Sequence, residues 1–124
     1  MAGDGRRVLV VEDEPVIRML VVEVLEDAGY TVLQASNGLE AMQLIEQPDH
    51  FALIVTDINM PGADGIQVIE RARATSRDLP VVFMSGRPRS HMARDTPQPC
   101  RYFGKPFPLP DLVAAVDELL TVPA

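Results

Sequence analysis

The sequence predicts an α/β domain: a doubly wound, five-stranded parallel sheet with helices on both faces. Three observations lead there. Short continuous apolar runs recur along the chain, as expected of strands covered on both sides. Between them lie stretches in which apolar residues return every three or four positions, the helical period. Strand and helix patterns alternate about five times within 124 residues, a length that suits one domain.

The elements follow in order. Val8-Leu9-Val10-Val11 is the first strand. Pro15 opens a helix whose apolar members are Val16, Ile17, Leu20, Val21, Val24 and Leu25, and Gly29 stops it. Residues 31–35 read as the second strand. Residues 37–46 read as a helix with Leu39, Met42, Leu44 and Ile45 as its apolar members. Residues 51–55, Phe-Ala-Leu-Ile-Val, are the third strand. Residues 65–74 are a helix with Ile66, Val68 and Ile69 inward, and residues 80–84 are the fourth strand. Residues 101–103 make a short fifth strand, and residues 111–120 a last helix built on Leu112, Val113, Val116, Leu119 and Leu120. The alternation also asks for a helix within residues 86–99. That stretch holds Pro88, Pro97, Pro99 and three arginines, with only Met92 and Ala93 as apolar candidates, so a short or irregular helix is expected.

Composition narrows the function. A net charge of −7 argues against a nucleic-acid-binding face, which needs basic residues to neutralise phosphates. No apolar run is long enough to span a membrane. The first seven residues carry Asp4 and no apolar core, so no secretory signal is expected, and the expected location is cytoplasmic. The single cysteine, Cys100, cannot close an internal disulfide, which agrees. Ten of the eleven basic residues are arginines and Lys105 is the only lysine, which suggests a specific need for a compact ammonium at that position.

In an open α/β sheet, ligands bind outside the carboxyl ends of the strands. The residues that follow the strands are therefore the ones to weigh. Glu12, Asp13 and Glu14 follow the first, Asp57 the third, Ser85 the fourth and Lys105 the fifth. Each has an ordinary reading: Asp13 or Glu14 as a helix cap, Asp57 and Ser85 as turn residues, Lys105 as a solvated loop charge. Those readings must hold independently at four strand ends. One functional reading accounts for all four, a cleft containing an acidic cluster, a hydroxyl and an ammonium. Carboxylates gathered closely repel and call for a neutralising partner. Oxygen ligands of this kind suit Mg2+. A phosphoryl group on Asp57 would offer oxygens to the metal, to Lys105 and to Ser85, with the Asp57 carboxylate as nucleophile.

These residues resemble the response-regulator receiver family. The resemblance rests on Val8-Leu9-Val10-Val11-Glu12-Asp13-Glu14-Pro15, on Thr56-Asp57-Ile58-Asn59-Met60-Pro61-Gly62 with Asp64-Gly65, on Met84-Ser85-Gly86, and on Lys105-Pro106-Phe107. It covers nearly the whole chain, in the right order and spacing. It implies a flavodoxin-like (βα)5 fold with strand order 2-1-3-4-5, and a phosphoacceptor that takes its phosphoryl group from a histidine kinase or a histidine phosphotransfer protein and then switches binding to a downstream protein. By position, Asp57 would be the phosphoacceptor. Asp13, Asp57 and the Asn59 backbone carbonyl would hold Mg2+, or Mn2+ in its place, with Glu12 acting through a coordinated water. Lys105 would pair with Asp57, Ser85 would move toward the phosphoryl group, Tyr102 would be the aromatic that follows it inward, and the Lys105-Pro106 bond would be cis.

Ser85 stands where threonine is more usual and keeps the hydroxyl. Residues 86–99 depart furthest from the family, at the face relatives use for output, which leaves a monomer or a weak phosphorylation-dependent dimer as the expected state. Residues 1–124 are expected to form one stand-alone receiver. The alternatives are a receiver piece of a hybrid kinase and an aspartate-nucleophile phosphohydrolase. The last would need a second aspartate where this chain has Asn59. Asn59 and Arg87 are expected to tune the lifetime of the phosphorylated state. The chain is expected to be a switch, not an enzyme acting on other molecules.

Overall fold

The structure is a computed structural model that describes residues 5–47, 50–58, 64–85 and 100–121. Strand and helix alternate as β1 (Arg7–Val11), α1 (Pro15–Asp27), β2 (Thr31–Ala35), α2 (Gly38–Ile45), β3 (Leu53–Asp57), α3 (Gly65–Arg73), β4 (Val81–Ser85), β5 (Cys100–Gly104) and α4 (Leu109–Thr121). The helix expected within residues 86–99 lies outside the described residues, as does Asn59.

The five strands form one sheet in the order β2-β1-β3-β4-β5, and every neighbouring pair is parallel. Successive side chains leave a strand on opposite faces, so each buried strand feeds two half-cores. Leu9, Val11, Ile54, Val81 and Phe83 pack on the face of α2 and α3 with Val68, Ile69 and Ala72. Val8, Val10, Leu53, Val55, Val82 and Met84 pack on the other face with Val21, Leu25, Leu112 and Val116 of α1 and α4. This is why β1, β3 and β4 read as continuous apolar runs.

The helices start where local chemistry supplies a partner for free amides. Pro15 opens α1, where its missing N–H costs nothing. Asn37 accepts the Glu40 amide at the start of α2. Asp64 and Gln67 form a reciprocal capping box at the start of α3. Gly29 ends α1 with φ of 100°, a backbone region that favours glycine.

Several expectations are corrected. Strand β3 runs two residues later than the apolar run suggested: Phe51 and Ala52 precede it, while Thr56 and Asp57 complete it. The cause is register, since Val8–Val11 pair with Leu53–Thr56, and Ile54–Asp57 pair with Val81–Met84. Ser85 likewise ends β4 rather than following it, and β5 takes in Cys100 and Gly104. Val16, Leu20 and Leu39, counted among the apolar members of their helices, are 64%, 43% and 60% exposed, because they lie on the edge of their helices away from the sheet.

Candidate functional site

The strand order reverses direction between β1 and β3, and at such a switch point the loops leave in opposite directions and open a cleft. The carboxyl ends of those two strands carry Glu12 and Asp57. Val11 pairs with Thr56, which brings the residues that follow each of them side by side. Carboxylate oxygens of Glu12, Asp13 and Asp57 all lie within 4.8 Å of one another. Glu12 is fully buried and Asp57 nearly so, while Asp13 is exposed at the mouth.

Lys105 arrives from beyond β5. Its amide donates to the Ser85 carbonyl at 2.7 Å, which carries the chain across the end of β4 toward the cleft. The Lys105-Pro106 bond is cis. The ammonium donates to Glu12 Oε1 at 2.6 Å and to Asp57 Oδ2 at 2.8 Å. One cation therefore bridges two buried carboxylates, so that removing the lysine would leave both without a counter-charge.

The electrostatics follow from burial. Loss of solvent pushes the Glu12 carboxyl up, the bonds from Lys105 and the Glu14 amide pull it down, and neighbouring Asp13 and Asp57 push it up again, leaving it at about 7. Burial would depress the Lys105 ammonium, but its bonds to Asp57 and Glu12 outweigh that and raise it. The lysine is thus held charged, while Glu12 sits where it can exchange a proton near neutral pH.

The ordinary reading of Glu14 as a cap does not hold: it occupies the N-cap position of α1, yet its side chain makes no capping bond. Asp57 is no turn residue but the buried end of β3. Ser85 is buried at the adjacent strand end, 1% exposed. Tyr102 is half-buried on β5 and stacks on Phe83 of β4, with ring centroids 5.3 Å apart. Glu12, Asp13, Asp57 and Lys105 are therefore brought together, with Ser85 joined through the Lys105 amide and Tyr102 one strand position from Phe103. The carbonyl of Asn59 and the side chain of Arg87 fall outside the described residues.

Two residues contribute in ways the sequence did not reveal. Gly65 was named as a helix start and in the phosphoacceptor segment, and its Cα packs against the Asp57 backbone so closely that a Cβ there would stand 2.3 Å from the Asp57 carbonyl oxygen. Arg18 donates to the Glu12 carbonyl at 2.8 Å. The Asp-Gly pair at Asp64-Gly65 was a signal for the first. Nothing in the local pattern marks the second, whose contact is tertiary.

A parallel sheet of this order, with three carboxylates and a bridging lysine at its switch point, is the architecture of a receiver. The family model for the response regulator receiver domain matches residues 8–117, and the chain belongs to that family, the receivers of two-component signalling. It is similar to the response regulator receiver protein CpdR of Brucella abortus, 35% identical, over 93% of this chain and 97% of that protein. It is also similar to the sensor kinase CckA of the same organism, 36% identical over 91% of this chain but only 12% of that much longer protein. The response regulator TrrA of Thermotoga maritima, solved in complex with Mg2+-BeF, aligns over 93% of this chain and 99% of its own with a TM-score of 0.78 and 33% identity. No helix among the described residues is long and apolar enough to cross a membrane.

Proposed function

We propose that Asp57 is the phosphoacceptor of this receiver, and that it takes a phosphoryl group from the phosphohistidine of a histidine kinase or a histidine phosphotransfer protein. The observation that carries this is the Lys105 ammonium set between Glu12 and Asp57 in a cleft with three gathered carboxylates. An Asp57 oxygen attacks phosphorus. A P–O bond forms as the P–N bond breaks, and the imidazole nitrogen leaves with the bonding pair. Lys105 steadies the attacking carboxylate and then meets the charge on the phosphoryl oxygens. The Ser85 hydroxyl, at the next strand end, would follow one of those oxygens.

The donor set fits a hard divalent cation, since it offers only oxygen and sits partly open at Asp13. Asp13, Asp57 and the Asn59 carbonyl would hold Mg2+, or Mn2+ in its place, with Glu12 acting through water. When bound, the cation supplies positive charge to the phosphoryl oxygens in flight. The relative solved with Mg2+-BeF supports this choice. Tyr102, stacked on Phe83, would report the reaction to a downstream protein by moving inward beside Ser85, and Asn59 and Arg87 would set how long the phosphoryl group lasts.

Incubation with Mg2+ and acetyl phosphate tests the assignment by intact mass. The wild-type protein should gain one phosphoryl group and Asp57→Asn none. An equal gain in both, or no gain in either, would sink it. Transfer from a panel of phosphorylated kinases then identifies the donor. The near end-to-end match to CpdR supports a single receiver over residues 1–124. Such a receiver would act as a monomer or weak phosphorylation-dependent dimer in the cytoplasm. The match to one-eighth of a sensor kinase favours the second reading, a receiver that serves as one segment of a longer kinase.

A further inference from the structure

We propose that Arg18 is a positioning residue: a clamp from α1 that fixes the acidic loop for cation binding by tying the Glu12 carbonyl to β2. This rests on the reading of Glu12, Asp13 and Asp57 as the cation and phosphoacceptor centre. Arg18 lies one turn into α1. Its Nη1 donates to the Glu12 carbonyl at 2.8 Å, and its Nε donates to Gln34 Oε1, on β2, at 3.1 Å.

The rest of Glu12 is also held. Its amide donates to the Ala35 carbonyl at 3.1 Å, and its carboxylate accepts from Lys105 at 2.6 Å and from the Glu14 amide at 3.1 Å. The carbonyl is the remaining handle, and it governs Asp13. The peptide unit is planar, so the Glu12 oxygen lies in one rigid plane with the nitrogen and Cα of Asp13. Pinning that oxygen sets the direction in which Asp13, the exposed member of the cluster, leaves the strand. A guanidinium suits the task because its donors are fixed in a planar fork and can serve two acceptors together.

Electrostatics and positioning predict opposite signs, and this makes the clamp testable. Arg18 is a cation near a site for cations. If its charge were what mattered, removing it would tighten Mg2+ binding, because like charges repel. If it is a clamp, removing it loosens the loop and weakens binding, as losing a hydrogen-bonded partner of a metal ligand does, by on the order of tenfold or more.

Mg2+ titration of the unphosphorylated full chain by calorimetry is the direct readout, beside acetyl phosphate labelling rates across Mg2+ concentrations. Arg18→Met should weaken the Mg2+ midpoint about tenfold and leave the labelling plateau at saturating Mg2+ near that of wild type. Arg18→Lys should not restore it, since one ammonium cannot reproduce the fork. Gln34→Ala, at an exposed position that does not touch the loop, should shift the midpoint the same way by less. Combined with Arg18→Met it should add little, because both cut one chain of contacts. An unchanged or tighter midpoint in Arg18→Met overturns the clamp, as do full rescue by lysine and additive effects with Gln34→Ala. Should Arg18→Met fail to fold, an unchanged midpoint in Gln34→Ala overturns it alone. Wild-type protein that binds no Mg2+ and accepts no phosphoryl group would instead refute the reading of the site.

Discussion

At the scale of single residues, the site is organised around a carboxyl that folding makes hard to ionise. Glu12 is fully buried, and its carboxyl is raised from 4.5 to about 7, chiefly by burial. A raised carboxyl binds more protons folded than unfolded between those two values. Stability attributable to Glu12 is therefore complete below pH 4.5 and is lost as pH rises to about 7. Glu12→Gln removes the ionisation while keeping the shape. Its unfolding free energy should match wild type near pH 4.5, exceed it progressively up to pH 7, and stay above it by about 1–3 kcal/mol beyond that. Urea melts at a series of pH values measure this. A constant gap at every pH would show that Glu12 ionises as it does in water. Lys105, with its ammonium raised by the same contacts, stays charged throughout and still has Asp57 as a partner in the variant.

At the scale of elements, the site depends on α3 sitting hard against the end of β3. The Gly65 amide donates to the Ile58 carbonyl at 2.9 Å, and an added Cβ would meet the Asp57 oxygen at 2.3 Å, Ile58 Cα at 3.0 Å and Asp57 C at 3.1 Å. All three are backbone atoms, which cannot rotate aside. Gly65→Ala should cost about 1–3 kcal/mol by urea denaturation, as overpacking does, and slow acetyl phosphate labelling by moving the Asp57 backbone. Gly104→Ala is the control, since nothing lies within 4 Å of its Cβ position, and it should leave both measurements alone. Equal behaviour of the two variants would refute the close-approach argument. The same junction shows what the sequence could reveal. Apolar periodicity located every described strand and helix, because a two-faced sheet demands it. It placed β3 too early because Thr56 and Asp57 are buried polar residues, and hydropathy alone assigns such residues to loops. It grouped Val16, Leu20 and Leu39 with the buried apolar members of their helices because helical spacing gives a face but not its width. Asp57, Ser85 and Lys105 were legible because strand ends converge whatever their neighbours are. The Asp64-Gly65 pair was visible, though not the close approach it permits, and Arg18 acts through a backbone carbonyl, a contact that leaves no mark on local pattern.

At the scale of the whole molecule, α4 covers one face of the sheet and its later turns join chain segments remote in sequence. Leu112, Val116 and Leu119 fill the half-core shared with α1. Arg6 Nη1 donates to the Leu120 carbonyl at 2.8 Å, and the Tyr30 hydroxyl donates to Asp117. Tyr30 is 5% exposed, and its hydroxyl is pushed well above its ordinary value of 10.0, first by burial, then by the bond to Asp117 and the charge of Asp117, against a smaller pull from Arg6. A raised phenol keeps its proton in the folded protein after the unfolded chain has lost it. Its contribution is complete below pH 10 and drains away as pH climbs past that value. Tyr30→Phe keeps the ring and deletes the hydroxyl, leaving Asp117 without that donor. It should lower stability at pH 8 by about 1–2 kcal/mol. It should also fall less steeply between about pH 10 and 11.5, so the two curves converge on the alkaline side. Because Tyr30 and Asp117 lie at the opposite end of the molecule's scaffold from the chemistry, labelling of Asp57 in the folded variant should proceed at the wild-type rate. Parallel curves through the alkaline range would mean that the Tyr30 hydroxyl titrates alike in both states and that the bond to Asp117 contributes no pH dependence.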